Sequence, residues 1–154
     1  MVEFKDYLEP AMASLRQQSG FDEAVFVRAL PVIRERLSVR SEFVEMFDKG
    51  ELNYLWQNPG VRAENSAWKN STGDIAKKHL EALLGKLLEF NGEWTLESLR
   101  EVVMPYAEEY GKGDVLWPLR FTLTGLEKSP DPFTVMYILG KQEVLVRLKS
   151  SLAS

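Results

Sequence analysis

Apolar residues recur along this chain at the three-and-four spacing of buried helix faces. Phe26, Leu30, Ile33, Leu37, Val44 and Phe47 form a first stripe, and Asp22 stands before it as a helix cap. Pro31 falls inside the stripe and is expected to kink or restart the helix, because proline lacks the N–H and crowds the carbonyl one turn back. A second stripe, Ala76, Leu80, Leu83, Leu84, Leu87 and Leu88, follows Ser71 and Asp74, whose spacing resembles a capping box. Asn91-Gly92 stops it. Thr95 is placed to cap a third helix running towards Tyr110 and ending at Gly111-Lys112-Gly113, with Trp94 and Leu99 set as a hydrophobic staple.

The last third reads as three short helices. Asp114 is expected to cap the first, from Val115 to Thr124, with Pro118 harmless in its first turn and Gly125 as its end. Asp131-Pro132 starts the next, an aspartate at the cap and a proline at the first helical position, and Gly140 ends it. Lys141 to Leu152 forms the last, with Val144, Leu145, Leu148 and Leu152 as its core face. The runs Phe133 to Ile138 and Val144 to Val146 also fit strands, but the cap and the glycine stop favour helix. Residues 48–71 are the least regular stretch, holding Gly50, Asn58-Pro59-Gly60, Asn70, Trp56 and Trp68. The expectation is an all-α fold, a helical bundle in two packed subdomains, residues 1–70 and 71–154.

Composition narrows the chemistry. The 45% hydrophobic and 11% aromatic content belongs to a chain that folds. With no cysteine there is no disulfide and no thiolate chemistry, and with one histidine no histidine-based metal cluster can form. The start of the chain carries Glu3 and Lys5 with no apolar leader core, and no apolar run nears the ~20 residues of a membrane helix, so a soluble, cytoplasmic protein is expected. The net charge of −4 lends no support to nucleic-acid binding, which favours a basic face.

No active site emerges from spacing. His79 lies beside the leucine face without an evident partner and reads as a structural or solvent-edge histidine. Glu97, Glu101, Glu108 and Glu109 read as solvated helix faces. Ser150 and Ser151 have no base to activate them, and Gly111-Lys112-Gly113 is too short to cradle a phosphate. Arg34 and Arg36 flank the first stripe, as rim arginines do, although a guanidinium can also stack on a base and donate paired hydrogen bonds. Trp117 and Arg120 stand one turn apart and share a face; core packing is the ordinary role of such a tryptophan, base stacking the other.

Longer motifs add a resemblance. Pro118-Leu119-Arg120-Phe121-Thr122-Leu123-Thr124-Gly125, then Ser129-Pro130, Leu139-Gly140-Lys141 and Leu145-Val146-Arg147-Leu148 resemble, in order and spacing, the closing signature of bacterial glutamyl-tRNA synthetases. Leu30 to Phe43, with Arg34-Glu35-Arg36-Leu37 and Ser41-Glu42-Phe43, is similar to that family's first anticodon-domain helices, and Glu93-Trp94-Thr95 to its penultimate bundle. Residues 48–92 match only in length and helicity. The family's HxGH-type ATP motif cannot be built with one histidine, and no KMSKS-like run occurs.

The resemblance implies an anticodon-binding portion separated from its catalytic domain, not an enzyme by itself. No cofactor or metal is expected here; ATP and Mg²⁺ belong to the parent enzyme. The implied partners are the anticodon loop of tRNA(Glu) and that catalytic domain, with the chain monomeric. Carried over by position, Arg36 matches the arginine that contacts the third anticodon letter, Arg120 that of the Pro-Leu-Arg motif, and Ser129-Pro130 the loop approaching the first two letters. Trp117 stands where relatives often carry a polar residue, which leaves stacking as its means of contact, and Thr122 replaces a frequent alanine. A free-standing helical interaction domain with no RNA role is the alternative, for which the acidic charge argues.

Overall fold

Helix ends in this chain are set largely by residues that bond the orphan amides and carbonyls of the first and last turns. The computed structural model describes residues 16–17, 20–36, 51–68, 71–127 and 129–153, without the side chains of Glu35 and Arg36. They form six α-helices and two 3₁₀ turns, with no strand among the described residues. They fall into two compact units that divide between Gln57 and Asn58.

In the first unit, α1 (Glu23–Arg36) starts at Asp22, whose Oδ1 accepts from the Ala24 N–H at 2.9 Å. The helix continues through Pro31 without a restart. Val27, whose carbonyl loses its donor there, is exposed, so water can serve it. Val25, Phe26, Ala29 and Ile33 are buried, as are Leu52, Tyr54, Leu55 and Trp56 around the turn Asn53–Leu55. Phe21 meets the Trp56 ring edge-on at 5.3 Å. Leu37, Val44 and Phe47 lie outside the described residues.

The second unit begins with the turn Ala63–Asn65, which packs against α2 (Gly73–Glu89). Thr72, not Ser71, caps α2: its Oγ1 accepts from the Ile75 N–H at 3.3 Å. A side chain at position 73 would place its Cβ 2.3 Å from the Glu64 carbonyl oxygen, so only glycine lets the helix start against that turn. Residues 58–68, assigned from sequence to the first half, thus pack with the second. Ala76, His79, Leu80, Leu83 and Leu87 are buried, whereas Leu88 is exposed.

Thr95 and Ser98 bond reciprocally, 3.1 and 3.0 Å, in the capping box that opens α3 (Leu96–Tyr110). Gly111, at φ 105°, ends α3 and immediately starts α4 (Lys112–Thr124). Asp114 is therefore not the cap of α4 but lies in its first turn, where its charge suits the helix dipole. Gly125 ends α4 in the left-handed region at φ 70°. Asp131 caps α5 (Pro132–Leu139), its Oδ1 accepting from the Thr134 N–H at 3.0 Å, and Gly140 hands over to α6 (Lys141–Leu152). Phe133 to Ile138 is thus helix, as its cap and stop required.

Among the described elements α4 packs against every other helix of its unit, through Val115, Pro118, Leu119, Thr122 and Leu123. Arg147 of α6 is buried to 1% exposure, its Nε donating to Glu143 Oε1 and its Nη1 to the Leu123 carbonyl, both at 2.8 Å. It serves a last-turn carbonyl of α4 that the helix itself cannot. The core face of α6 is accordingly Val144, Arg147, Leu148 and Ser151, while Leu145 and Leu152 are half-buried.

Candidate nucleic-acid interface

The apolar side of α4 leaves Trp117, Arg120 and Phe121, at i, i+3 and i+4, together on its opposite, half-buried side. The Trp117 and Phe121 rings are nearly parallel, 9° apart with centroids 6.2 Å distant. The Arg120 guanidinium lies over the Trp117 ring at 4.7 Å, a cation–π contact that also holds both planes in place.

From that position Arg120 reaches the loop joining α4 to α5. Its Nη1 donates to Ser129 Oγ at 2.8 Å and, less closely, to the Leu126 carbonyl at 3.4 Å. Its Nη2 donates to the Glu127 carbonyl at 2.9 Å. Ser129 passes its own hydroxyl hydrogen to the Pro130 carbonyl at 2.9 Å. Thr124 closes the near end: its hydroxyl donates to the Arg120 carbonyl at 3.0 Å and accepts from the Leu126 N–H at 3.1 Å. Burial pulls the Arg120 guanidinium below its ordinary value, yet that value is so high that the charge persists at neutral pH.

The structure therefore brings Trp117, Arg120, Ser129 and Pro130 into one constellation at the end of α4. Arg36 is the last residue of α1, in the other unit, and its side chain lies outside the described residues. Sequence reasoning missed Phe121 and Thr124, although each stands four residues beyond a residue it singled out and so shares its helix face. The loop carbonyls carried no signal, since every residue has one.

His79 is buried, as expected of a structural histidine, but it does have partners. Its Nδ1 is 2.7 Å from the Tyr106 hydroxyl, and the Tyr106 and Tyr110 rings pack against it at 5.5 and 5.7 Å. Burial lowers its pKa, opposed by Asp114 and helped by Lys78; burial likewise raises that of Tyr106. The imidazole and the phenol bond to each other, in a direction set by the histidine tautomer, and this pairing accounts for the burial of both rings. Among the described residues no group of three or more histidines and carboxylates is placed to hold a metal, and no helix is long and apolar enough to cross a membrane.

The family model for the anticodon binding domain matches residues 3–152, and the chain belongs to that family. Its relatives are consistent: it is 32% identical over 148 residues to glutamate–tRNA ligase 2 of Novosphingobium aromaticivorans, covering 94% of this chain and 29% of that protein. It is 30% identical over 155 residues to glutamate–tRNA ligase 2 of Zymomonas mobilis, covering 96% and 30%. With the glutamate–tRNA ligase of Flavobacterium johnsoniae the identity is 26% over 153 residues, covering 96% and 28%. The chain thus spans less than a third of the length of these curated relatives.

Proposed function

We propose that this chain is the anticodon-reading part of a glutamate–tRNA ligase. It binds the anticodon loop of tRNA(Glu) and thereby positions the acceptor end for the longer protein's catalytic region, where ATP and Mg²⁺ would act. The observation that carries this reading is the convergence of Trp117, Arg120, Ser129 and Pro130 on one face, in a chain of the anticodon-binding family. Anticodon bases are unstacked, and single-stranded loops are where proteins read RNA sequence, by stacking on aromatic and guanidinium planes and by hydrogen bonds to exposed edges. Base–aromatic stacking is worth roughly 1–3 kcal/mol per base, enough for one platform to matter. In this reading Arg36 contacts the third letter, and the chain acts as a cytoplasmic monomer that by itself attaches no glutamate.

The net charge of −4 favours a second reading, a helical domain that binds another protein and no RNA. Titrating the chain with a tRNA(Glu) transcript at two salt concentrations separates the two. Binding that weakens with salt and is lost when the anticodon triplet is replaced supports the first. A chain that binds no tRNA at low salt leaves the second.

A further inference from the structure

We propose that Arg120 serves recognition as a positioning residue: it fastens the loop residues Leu126, Glu127 and Ser129 and the Trp117 ring in the arrangement that the RNA meets, acting through them rather than reading a base itself. The proposal rests on the anticodon reading above and assigns the guanidinium its part in it.

The donor inventory carries the argument. A guanidinium has five N–H groups. In Arg120 both hydrogens of Nη1 and one of Nη2 are spent on the loop, on the Leu126 carbonyl, Ser129 Oγ and the Glu127 carbonyl. Its end-on fork, the edge that pairs with carbonyl and carboxylate acceptors, is therefore occupied by protein. One of its two flat faces is also in use, lying over Trp117. What remains is the Nε–H, one Nη2–H and the opposite face, and a base contact through that side edge or a base stacked on that face is the competing role. The loop has reason to need the lock. Among the described residues between the end of α4 at Gly125 and the cap of α5 at Asp131 the backbone has no helical ladder, so their carbonyls must find donors elsewhere. Arg120 supplies donors to the Leu126 and Glu127 carbonyls, Thr124 accepts from the Leu126 N–H, and Ser129, which accepts from Arg120, donates its hydroxyl to the Pro130 carbonyl.

The experiment titrates the 154-residue chain with a tRNA(Glu) transcript, by fluorescence anisotropy, for wild type, Arg120→Ala, Arg120→Lys, Ser129→Ala and the Arg120→Ala/Ser129→Ala pair. Arg120→Ala should weaken binding roughly tenfold, the size of a lost charged hydrogen-bonded anchor. Arg120→Lys should behave the same, because an ammonium keeps the charge but not the fork. The double variant should bind no more weakly than Arg120→Ala alone, since both changes break one lock. The slope of log K against log salt should be unchanged, as no phosphate contact is removed.

Independent losses that add, a lysine variant that binds like wild type, or a slope smaller by about one phosphate contact would each overturn the proposal. So would variants whose melting temperature falls while their tRNA affinity, measured well below it, does not. Amide hydrogen exchange at Leu126 gives a second readout, free of RNA: Arg120→Ala should speed it, and an unchanged rate removes the lock. If the wild-type chain binds no tRNA the anticodon reading fails, and with it the lock's part in recognition; faster exchange would still report the lock itself.

Discussion

Replacing Gly113 by alanine tests whether residues 58–68 are integral to the second unit. Gly113 lies in the first turn of α4, where alanine should stabilise an unencumbered helix by roughly 0.5–1 kcal/mol. Its backbone is not in the left-handed region, so the new methyl brings no strain of that kind. It would, however, sit 2.2, 2.4 and 2.5 Å from Cζ3, Cε3 and Cη2 of Trp68, inside the ring's van der Waals surface. Either α4 shifts, at about 1–3 kcal/mol for an overpacked contact, or the indole moves out. Trp68 is half-buried, and exposing roughly 100 Å² of it at about 25 cal/mol per Å² costs a similar ~2.5 kcal/mol. The expected net effect is a destabilisation of about 1–2 kcal/mol, read as a lower midpoint in urea with an unchanged slope. In a Trp68→Ala background the same change should become stabilising, by up to ~1 kcal/mol, because only the helix preference remains. Gly113→Ala that is neutral or stabilising in the wild-type background would refute the contact and the energetic weight given to it.

Thr122→Val should raise stability by about 1 kcal/mol in urea titration, because the buried Thr122 hydroxyl has no hydrogen-bond partner among the described residues and valine keeps its shape; a loss of stability would show that the hydroxyl is satisfied. His79 has a folded pKa below its ordinary value, so the unfolded chain binds the proton more readily. Its contribution should be fully present above about pH 6.5 and be lost as pH falls from there through the lowered value. Urea midpoints between pH 7.5 and 5.5 should therefore fall for wild type and fall less for His79→Phe, and equal slopes would contradict the burial assigned to the imidazole.

What could be read from the sequence was chiefly what is decided within four residues. Asp22, Thr95 and Asp131-Pro132 announce helix starts because their side chains and ring act on the next turn, and Gly125 and Gly140 announce ends because positive φ suits glycine. The pairing of Trp117 with Arg120 on one face followed from helical spacing, and Ser129-Pro130 was found only through likeness to the family. Where sequence reasoning shifted a boundary, a distant contact was responsible. Thr72 displaced Ser71 as cap because Gly73 must fit against Glu64, and α4 begins at Lys112 because Gly111 turns the chain and Gly113 admits Trp68. Arginine is ordinarily a surface residue, yet Arg147 is buried to serve a carbonyl 24 positions away, and the partner of His79 is a phenol 27 positions away that no local spacing announces. Arg120 is the sharpest case: its residue type and helix face were legible, but its acceptors are backbone carbonyls. Every residue carries that group, so only the tertiary path of the loop could decide which ones the guanidinium would meet.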